Sequence, residues 1–127
     1  MRAYIDSDVL IWHLRGENKA LKFLQHLRDS GEYELWIGPM QRAEIVFFMK
    51  PPEEEKTALF LSQFKTAVID QPCVDLAATL YRRWHPGHGI DINDAFLAAT
   101  VMSSGGKIYC LNVKHYPMPE VLSEKPW

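Results

Sequence analysis

Short strand-like runs alternate with helical segments along the chain, and this alternation is the strongest constraint on its fold. The runs cover residues 2–5, 34–38, 67–70 and 107–111. Helical spacing of apolar residues fills the stretches between them. Parallel strands need such crossovers, and the helices then cover both faces of the sheet. We therefore predict one domain over residues 1–127, an α/β three-layer α/β/α sandwich with a central parallel sheet of four to five strands.

Short polar residues mark the predicted starts of three helices: Asp8, Asn18 and Asp91. Such a side chain can accept a hydrogen bond from a backbone N–H that has no partner within the helix. For Asp8 and Asp91 we prefer this capping role to a role as a ligand.

Proline and glycine mark the predicted breaks. Pro39 suits the first turn of a helix, which should run to about residue 50 and stop at two prolines. Residues 85–89 contain Pro86 and two glycines and are predicted to form a loop. The proline-rich stretch 117–127 is predicted to be irregular.

Three carboxylates lie in apolar surroundings: Asp6, Glu44 and Asp94. Asp6 ends the first strand-like run, Glu44 has Met40, Phe47 and Phe48 one helical turn away, and Asp94 starts an apolar helix. An ionised carboxylate is costly to bury unless it is paired or bound to a cation. The three acids therefore indicate one shared cation site.

The expected topology lets these acids meet. In parallel α/β folds, ligands bind beyond the carboxyl ends of the strands, where Asp6 lies and near which the helix with Glu44 begins. Oxygen ligands without Cys or paired His favour Mg²⁺ or Mn²⁺. Asp6, Glu44 and Asp94 are therefore the predicted metal-binding and catalytic residues.

The composition gives no overall positive electrostatic potential that would attract nucleic acid. The formal net charge is −2, so a phosphate-bearing substrate would have to be held locally by a metal or by a few cations. Cys73 and Cys110 lie in apolar contexts and are expected to be reduced and buried. The sequence contains no apolar run of about 18 residues and no signal-peptide pattern. We expect a cytoplasmic protein without a membrane partner.

Four segments in chain order resemble the PIN domain, particularly the VapC-type toxins of bacterial and archaeal toxin–antitoxin pairs. Residues 4–11 carry an Asp-Ser pair after the opening strand, and residues 42–45 are similar to the glutamate helix of the family. Residues 93–100 resemble its Asp-Ala-x-Ile-Ala-Ala-Thr block, and residues 110–117 its closing Thr-x-Asn-x-x-His/Phe segment. Each motif is short, and it is their order and spacing that make the resemblance specific.

The resemblance implies a metal site formed by Asp6, Glu44 and Asp94, with the Ser7 hydroxyl in support. Many members carry a fourth acid where this chain has Asn112. An amide oxygen is a poorer ligand and brings no charge, so Asn112 is expected only to support the site, and a second ion is in question.

The resemblance also implies an activity and partners. We expect a Mg²⁺- or Mn²⁺-dependent endoribonuclease, the toxin of a type II toxin–antitoxin system, in which a metal-activated water attacks an RNA phosphodiester. The expected partners are the RNA substrate, a cognate VapB-like antitoxin with a segment that blocks the acidic pocket, and a second copy in a homodimer.

Two alternatives remain at this point. Asp6 and Asp8 also fit the Asp-x-Asp opening of haloacid-dehalogenase-like phosphatases, in which Asp6 would be the nucleophile. That reading leaves Glu44 unexplained and needs the late acids after a strand instead of in a helix. The second alternative is a catalytically inactive PIN-like binding module, with Asn112 as the sign of lost activity.

Overall fold

Five parallel strands form the centre of the computed structural model, which describes residues 1–127. The strands are β1 (Arg2–Ile5), β2 (Glu34–Ile37), β3 (Lys65–Thr66), β4 (Lys107–Tyr109) and β5 (Ser123–Glu124). Their order across the sheet is β3-β2-β1-β4-β5, and every neighbouring pair is parallel. β1 is therefore the central strand, with β2 on one side and β4 on the other.

Six helices cover the two faces of this sheet: α1 (Ser7–Leu14), α2 (Asn18–Ser30), α3 (Pro39–Val46), α4 (Glu54–Leu61), α5 (Gln71–His88) and α6 (Ile92–Ser104). The first four contribute to one apolar core and the last two to the other. Short 3-10 turns lie at Pro51–Glu53 and Val113–His115. The predicted α/β/α sandwich with a parallel central sheet is confirmed.

The apolar run in β1 follows from its central position. Ala3 and Ile5 pack into the core under α1–α4, whereas Tyr4 packs into the core under α5 and α6. All three side chains are fully buried. Because both faces of the strand are covered at residues 3–5, the next charged side chain lies beyond its carboxyl end, at Asp6.

Two of the three predicted caps were wrong. Asp6, not Asp8, holds the N-cap position of α1 and accepts from the N–H of Ser7, and Glu17, not Asn18, holds that of α2. The helices therefore begin one or two residues earlier than their polar residues suggested. Asp91 is the N-cap of α6 as predicted.

The predicted loop at residues 85–89 is wrong, because α5 continues to His88. Pro86 lies in the last turn of α5, and Gly89 ends the helix with a left-handed φ of 63°. The N–H of Gly89 donates to the carbonyl of His85. A proline in the last turn removes only one helical hydrogen bond, which the packing of a long helix can tolerate.

The other differences concern short segments at the sheet edges and at the end of α3. The third strand is Lys65–Thr66 and not residues 67–70, because Asp70 leaves the sheet to cap α5 through the N–H of Cys73. Helix α3 ends at Val46, earlier than predicted. Within the stretch predicted to be irregular, Ser123–Glu124 pairs with β4. This pairing joins distant parts of the chain, so local patterns did not reveal it.

Two sequence expectations about whole-chain properties can be compared with the structure. Cys73 and Cys110 are both free and buried, as expected. None of the helices has the length and apolar character that crossing a membrane would require.

Gly106 allows β4 to start close against β1. Its φ is 112°, and a Cβ atom there would lie 2.6 Å from the backbone oxygen of Arg2. Gly106→Ala should lower the free energy of unfolding by roughly 3 kcal/mol, because neither backbone can move without disturbing the sheet.

Chemical denaturation measures this loss, and Gly16→Ala is the matched control. Gly16 also has a positive φ, 88°, but a Cβ atom there would meet nothing within 4 Å. Its substitution should cost only about 1 kcal/mol. Equal losses for the two variants would show that close approach to β1 is not what requires Gly106.

Candidate metal site

Asp6 lies at the carboxyl end of the central strand, where β1 passes into α1. Its side chain is only 9% exposed. Oδ1 accepts from the N–H of Ser7 at 2.8 Å, and Oδ2 accepts from the hydroxyl of Tyr116 at 2.7 Å. Both oxygens of this buried carboxylate therefore have a neutral donor.

Asp94 lies in the first turn of α6 and is also buried. Its backbone N–H donates to Oδ1 of Asp91 at 2.8 Å, and its Oδ2 accepts from the N–H of Asp91 at 3.0 Å. This capping box fixes the carboxylate at the helix start. The imidazole Nδ1 of His115 lies 3.3 Å from the same Oδ2.

Tyr116 joins the two aspartates. Its hydroxyl oxygen lies 2.7 Å from Oδ2 of Asp6 and 3.4 Å from Oδ1 of Asp94, and its side chain is 4% exposed. The structure thus brings Asp6 and Asp94 together around one hydroxyl. Sequence reasoning assigned no role to Tyr116, because an aromatic residue beside a proline-rich tail gives no local signal of such a contact.

Glu44 lies beside this pair and is joined to it indirectly. Oε2 accepts from the hydroxyl of Ser7 at 2.8 Å, and Oε1 accepts from the side-chain amide of Asn93 at 2.8 Å. Ser7 follows Asp6 in the chain and Asn93 precedes Asp94. The supporting residue Ser7 therefore acts on Glu44, and Asn93 is a second support that sequence reasoning missed.

Asp8 and Asn112 take other places than expected. Oδ2 of Asp8 accepts from the N–H of Leu111 at 2.9 Å, which ties the start of α1 to the chain after β4. The amide nitrogen of Asn112 lies 3.0 Å from Nε2 of His115, and the residue is exposed. The side chain of Asn112 makes no hydrogen bond to a carboxylate, whereas the imidazole of His115 lies against Asp94.

Burial makes the two aspartates hard to ionise without a cation. Burial raises the pKa of Asp6 to about 7, and the negative charge of Asp8 adds to this effect. Burial likewise raises the pKa of Asp94 to about 7. Burial and the same carboxylates raise the pKa of Tyr116 far above its ordinary value, so its hydroxyl remains a donor.

No lysine or arginine forms an ion pair with Asp6, Glu44 or Asp94. Their hydrogen-bond donors are hydroxyls, an amide and backbone N–H groups, and the imidazole of His115 lies 3.3 Å from Asp94. The negative charge of the site is therefore held in position without being neutralised.

The donor set fits a hard divalent cation. As the side chains lie, no three of the His, Cys, Asp and Glu groups form a ready set of ligands for one ion. Asp6 and Asp94 are nevertheless adjacent carboxylates with raised pKa values, which is where a cation would relieve both burial and repulsion. Glu44 would have to turn from Ser7 and Asn93 to join them.

Comparison with known proteins identifies the family. A family model described as PIN domain matches residues 3–110. The chain belongs to the PIN domain family. Among curated relatives, Ribonuclease VapC10 of Mycobacterium tuberculosis is 33% identical over 119 residues, which are 93% of this chain and 88% of that protein. Ribonuclease VapC19 of the same species is 30% identical over 115 residues, 90% of this chain and 91% of that protein.

Solved structures share the PIN fold with this chain. A toxin–antitoxin complex from Klebsiella pneumoniae contains a chain that matches with a TM-score of 0.80 at 21% identity, covering 98% of both chains. VapBC2 from Rickettsia felis, bound to a DNA fragment from its promoter, matches with a TM-score of 0.82 at 18% identity, covering 100% of this chain and 99% of that one. The phosphatase alternative is thereby excluded, since its family is a different one.

The raised pKa of Asp6 predicts how pH affects the metal-free protein. An aspartate protonates near pH 3.9 in the unfolded chain and near 7 in this fold, so the native state binds more protons between these values. Unfolding free energy should therefore fall as pH rises from about 4 to about 7. Asp6→Asn removes this loss and should stabilise the protein at pH 8 by roughly 2 kcal/mol relative to the parent.

Thermal or urea unfolding in EDTA at pH 5 and pH 8 tests this effect. The gain of Asp6→Asn should appear at pH 8 and be small at pH 5. Asp75→Asn, a change of an exposed carboxylate in α5, should give no such difference. A gain of the same size at both pH values would mean that Asp6 is not a buried uncompensated charge.

Proposed function

We propose that this protein is a Mg²⁺- or Mn²⁺-dependent endoribonuclease and the toxin of a type II toxin–antitoxin pair. One observation carries the proposal: two buried aspartates meet at the carboxyl edge of the sheet with no lysine or arginine to neutralise them. The relatives named ribonucleases share 30% and 33% identity over nearly the whole chain, which supports RNA as the substrate class.

The three acids take distinct roles in this proposal. Asp6 and Asp94 would hold the cation, because their positions are fixed by the strand end and by the capping box. Glu44 is only half-buried and lines an open cleft, so its side chain can turn to complete the ligand set when substrate arrives. A bound divalent cation supplies charge stabilisation at the phosphate and lowers the pKa of a water.

Asp94→Asn should reduce RNA cleavage by at least about 100-fold, because it removes a ligand charge and keeps the shape of the side chain. Its amide oxygen can still accept from the N–H of Asp91, so α6 should remain capped. The measurement is cleavage of total bacterial RNA by the purified protein with Mg²⁺, Mn²⁺ or EDTA, together with growth after induction in cells.

Asp91→Asn is the control for Asp94→Asn, since asparagine caps helices about as well as aspartate does. This variant should keep its activity. Cleavage that survives EDTA, or that is equal in the parent and in Asp94→Asn, would contradict the metal mechanism. A parent that binds Mn²⁺ but cuts no RNA would support the inactive binding module instead.

We infer that an antitoxin covers the acidic site. The matched structures include toxin–antitoxin complexes, and a cleft of about 520 Å³ lies beside Glu44. Ile11, Leu14 and Phe48 line part of this cleft, and Phe48 is 81% exposed. An apolar segment that carries a positive side chain toward the acids would complement both features. We place the pair in the cytoplasm, where its RNA substrate is found.

We also propose a homodimer formed through α5 and α6. An apolar groove of about 210 Å³ runs between these helices and is lined by Val74, Tyr81, Ile92 and Phe96, among others. Ile92 is 58% exposed and Val74 43% exposed. Exposed apolar patches of this kind mark association surfaces, and a second copy is the occupant we propose.

Ile92→Glu should convert the dimer to a monomer, because a charge in the groove cannot be desolvated without a partner. Light scattering after gel filtration should give twice the 14.7-kDa chain mass for the parent and the single mass for the variant. Leu59→Glu introduces the same charge at a residue that is 70% exposed on α4 and should remain dimeric. A monomeric parent would contradict the proposal.

A further inference from the structure

Two consecutive residues after β4 reach the two aspartates of the site. The 3-10 turn Val113–His115 ends at Tyr116, and His115 approaches Asp94 while Tyr116 contacts Asp6. We use the name aspartate clamp for Asn112, His115 and Tyr116.

Asn112 contacts the ring nitrogen of His115 that faces away from Asp94. The Asn112 amide nitrogen is a donor and lies 3.0 Å from Nε2 of His115, so Nε2 accepts. The proton of the neutral imidazole is then on Nδ1, which faces Oδ2 of Asp94 at 3.3 Å. Asn112 thus influences Asp94 through the imidazole and not by direct contact.

The clamp sets one oxygen of each aspartate against the same hydroxyl, that of Tyr116. Oδ2 of Asp94 already accepts from the N–H of Asp91 and lies against His115, whereas Oδ1 has only the 3.4 Å contact to Tyr116. Oδ1 of Asp6 accepts from Ser7, and Oδ2 lies 2.7 Å from the Tyr116 hydroxyl. Oδ1 of Asp94 and Oδ2 of Asp6 therefore face a common point.

The clamp is anchored at both ends of its turn. Before it, the N–H of Leu111 donates to Asp8 at 2.9 Å. Within it, the N–H of His115 donates to the carbonyl of Asn112, and that of Tyr116 donates to the carbonyl of Val113, both at 3.1 Å. The buried ring of Tyr116 belongs to the core under α5 and α6. The turn can therefore impose positions on the aspartates.

We propose that the aspartate clamp takes the place of a fourth acid in this site, by positioning Asp6 and Asp94 for a divalent cation. The inference rests on the metal-dependent function proposed above. His115 and Tyr116 are positioning residues, since they act on the ligands and not on substrate. Groups that orient metal ligands in this way typically contribute about 10–100-fold to metal affinity.

Isothermal titration of the purified full-length chain with Mn²⁺ tests the proposal without RNA. Tyr116→Phe removes only the hydroxyl, and His115→Ala removes the imidazole that lies against Asp94. Each should weaken Mn²⁺ binding by about 10–100-fold. His115→Gln supplies an amide N–H toward Asp94 and should recover part of the loss.

The role of Asn112 is tested by a double-variant cycle. Asn112→Ala should weaken Mn²⁺ binding in the parent but have no further effect in His115→Ala, because it acts only through the imidazole. If Asn112 were itself a ligand at a fourth position, the two losses would add. Lys114→Ala, in the same turn, is the control and should bind Mn²⁺ within about twofold of the parent.

The outcomes separate this inference from the proposed function. If the parent binds Mn²⁺ and both Tyr116→Phe and His115→Ala bind it with the same affinity, the clamp proposal is overturned and the nuclease proposal is left intact. Absence of Mn²⁺ binding to the parent would overturn both. Circular dichroism checks the fold of each variant, and should Tyr116→Phe unfold, the Asn112 and His115 cycle decides alone.

Discussion

The hydrogen bond from Tyr116 to Asp6 is the interaction on which the site depends. Residues 3–5 of β1 are covered on both faces, so the next position at which the chain carries a charge is Asp6, and that position is itself 9% exposed. Leaving a carboxylate there without donors would be strongly unfavourable. The Tyr116 hydroxyl and the N–H of Ser7 make it tolerable without adding positive charge. Because neither donor neutralises Asp6, the burial cost stays partly uncompensated until a cation binds.

The parallel sheet explains how three acids from distant parts of the chain come to one edge. All strands run in the same direction, so the chain leaves each of them at the same side. Asp6 follows β1, Glu44 lies on the helix after β2, and Asp94 is brought in by α6 before β4. α6 adds an electrostatic reason, since its N-terminus favours an acid in the first turn. The parallel fold thus brings the three acids to one edge of the sheet, and helix capping orients the carboxylates there.

The sequence predicted the parts of this arrangement that depend on local chemistry. The buried strand, the acid at its end and the Asp91 cap are each encoded within a few residues. Tyr116 and β5 were not predictable in this way, because their partners lie far away in the chain: Tyr116 contacts Asp6 across 110 positions. The surroundings of Asn112 were not predictable either, because its side chain contacts His115, and it is His115 that lies against Asp94. The position of Asn112 in the motif could not show which of the two side chains lies near the acids.

Hydrogen bonds position the carboxylates but do not neutralise them, and this limits which ligands can bind in the site. Ser7, Asn93 and Tyr116 hold the oxygens of the acids through neutral donors, so the acids are positioned without being neutralised. A neutral or anionic ligand would leave the repulsion between Asp6 and Asp94 unrelieved, whereas a cation relieves it. A divalent metal and a positive side chain of an antitoxin would therefore compete for the same negative charge. Inhibition in the proposed toxin–antitoxin pair then requires no distortion of the fold. The positive side chain that would block the site and the metal that would activate it both neutralise the same carboxylates.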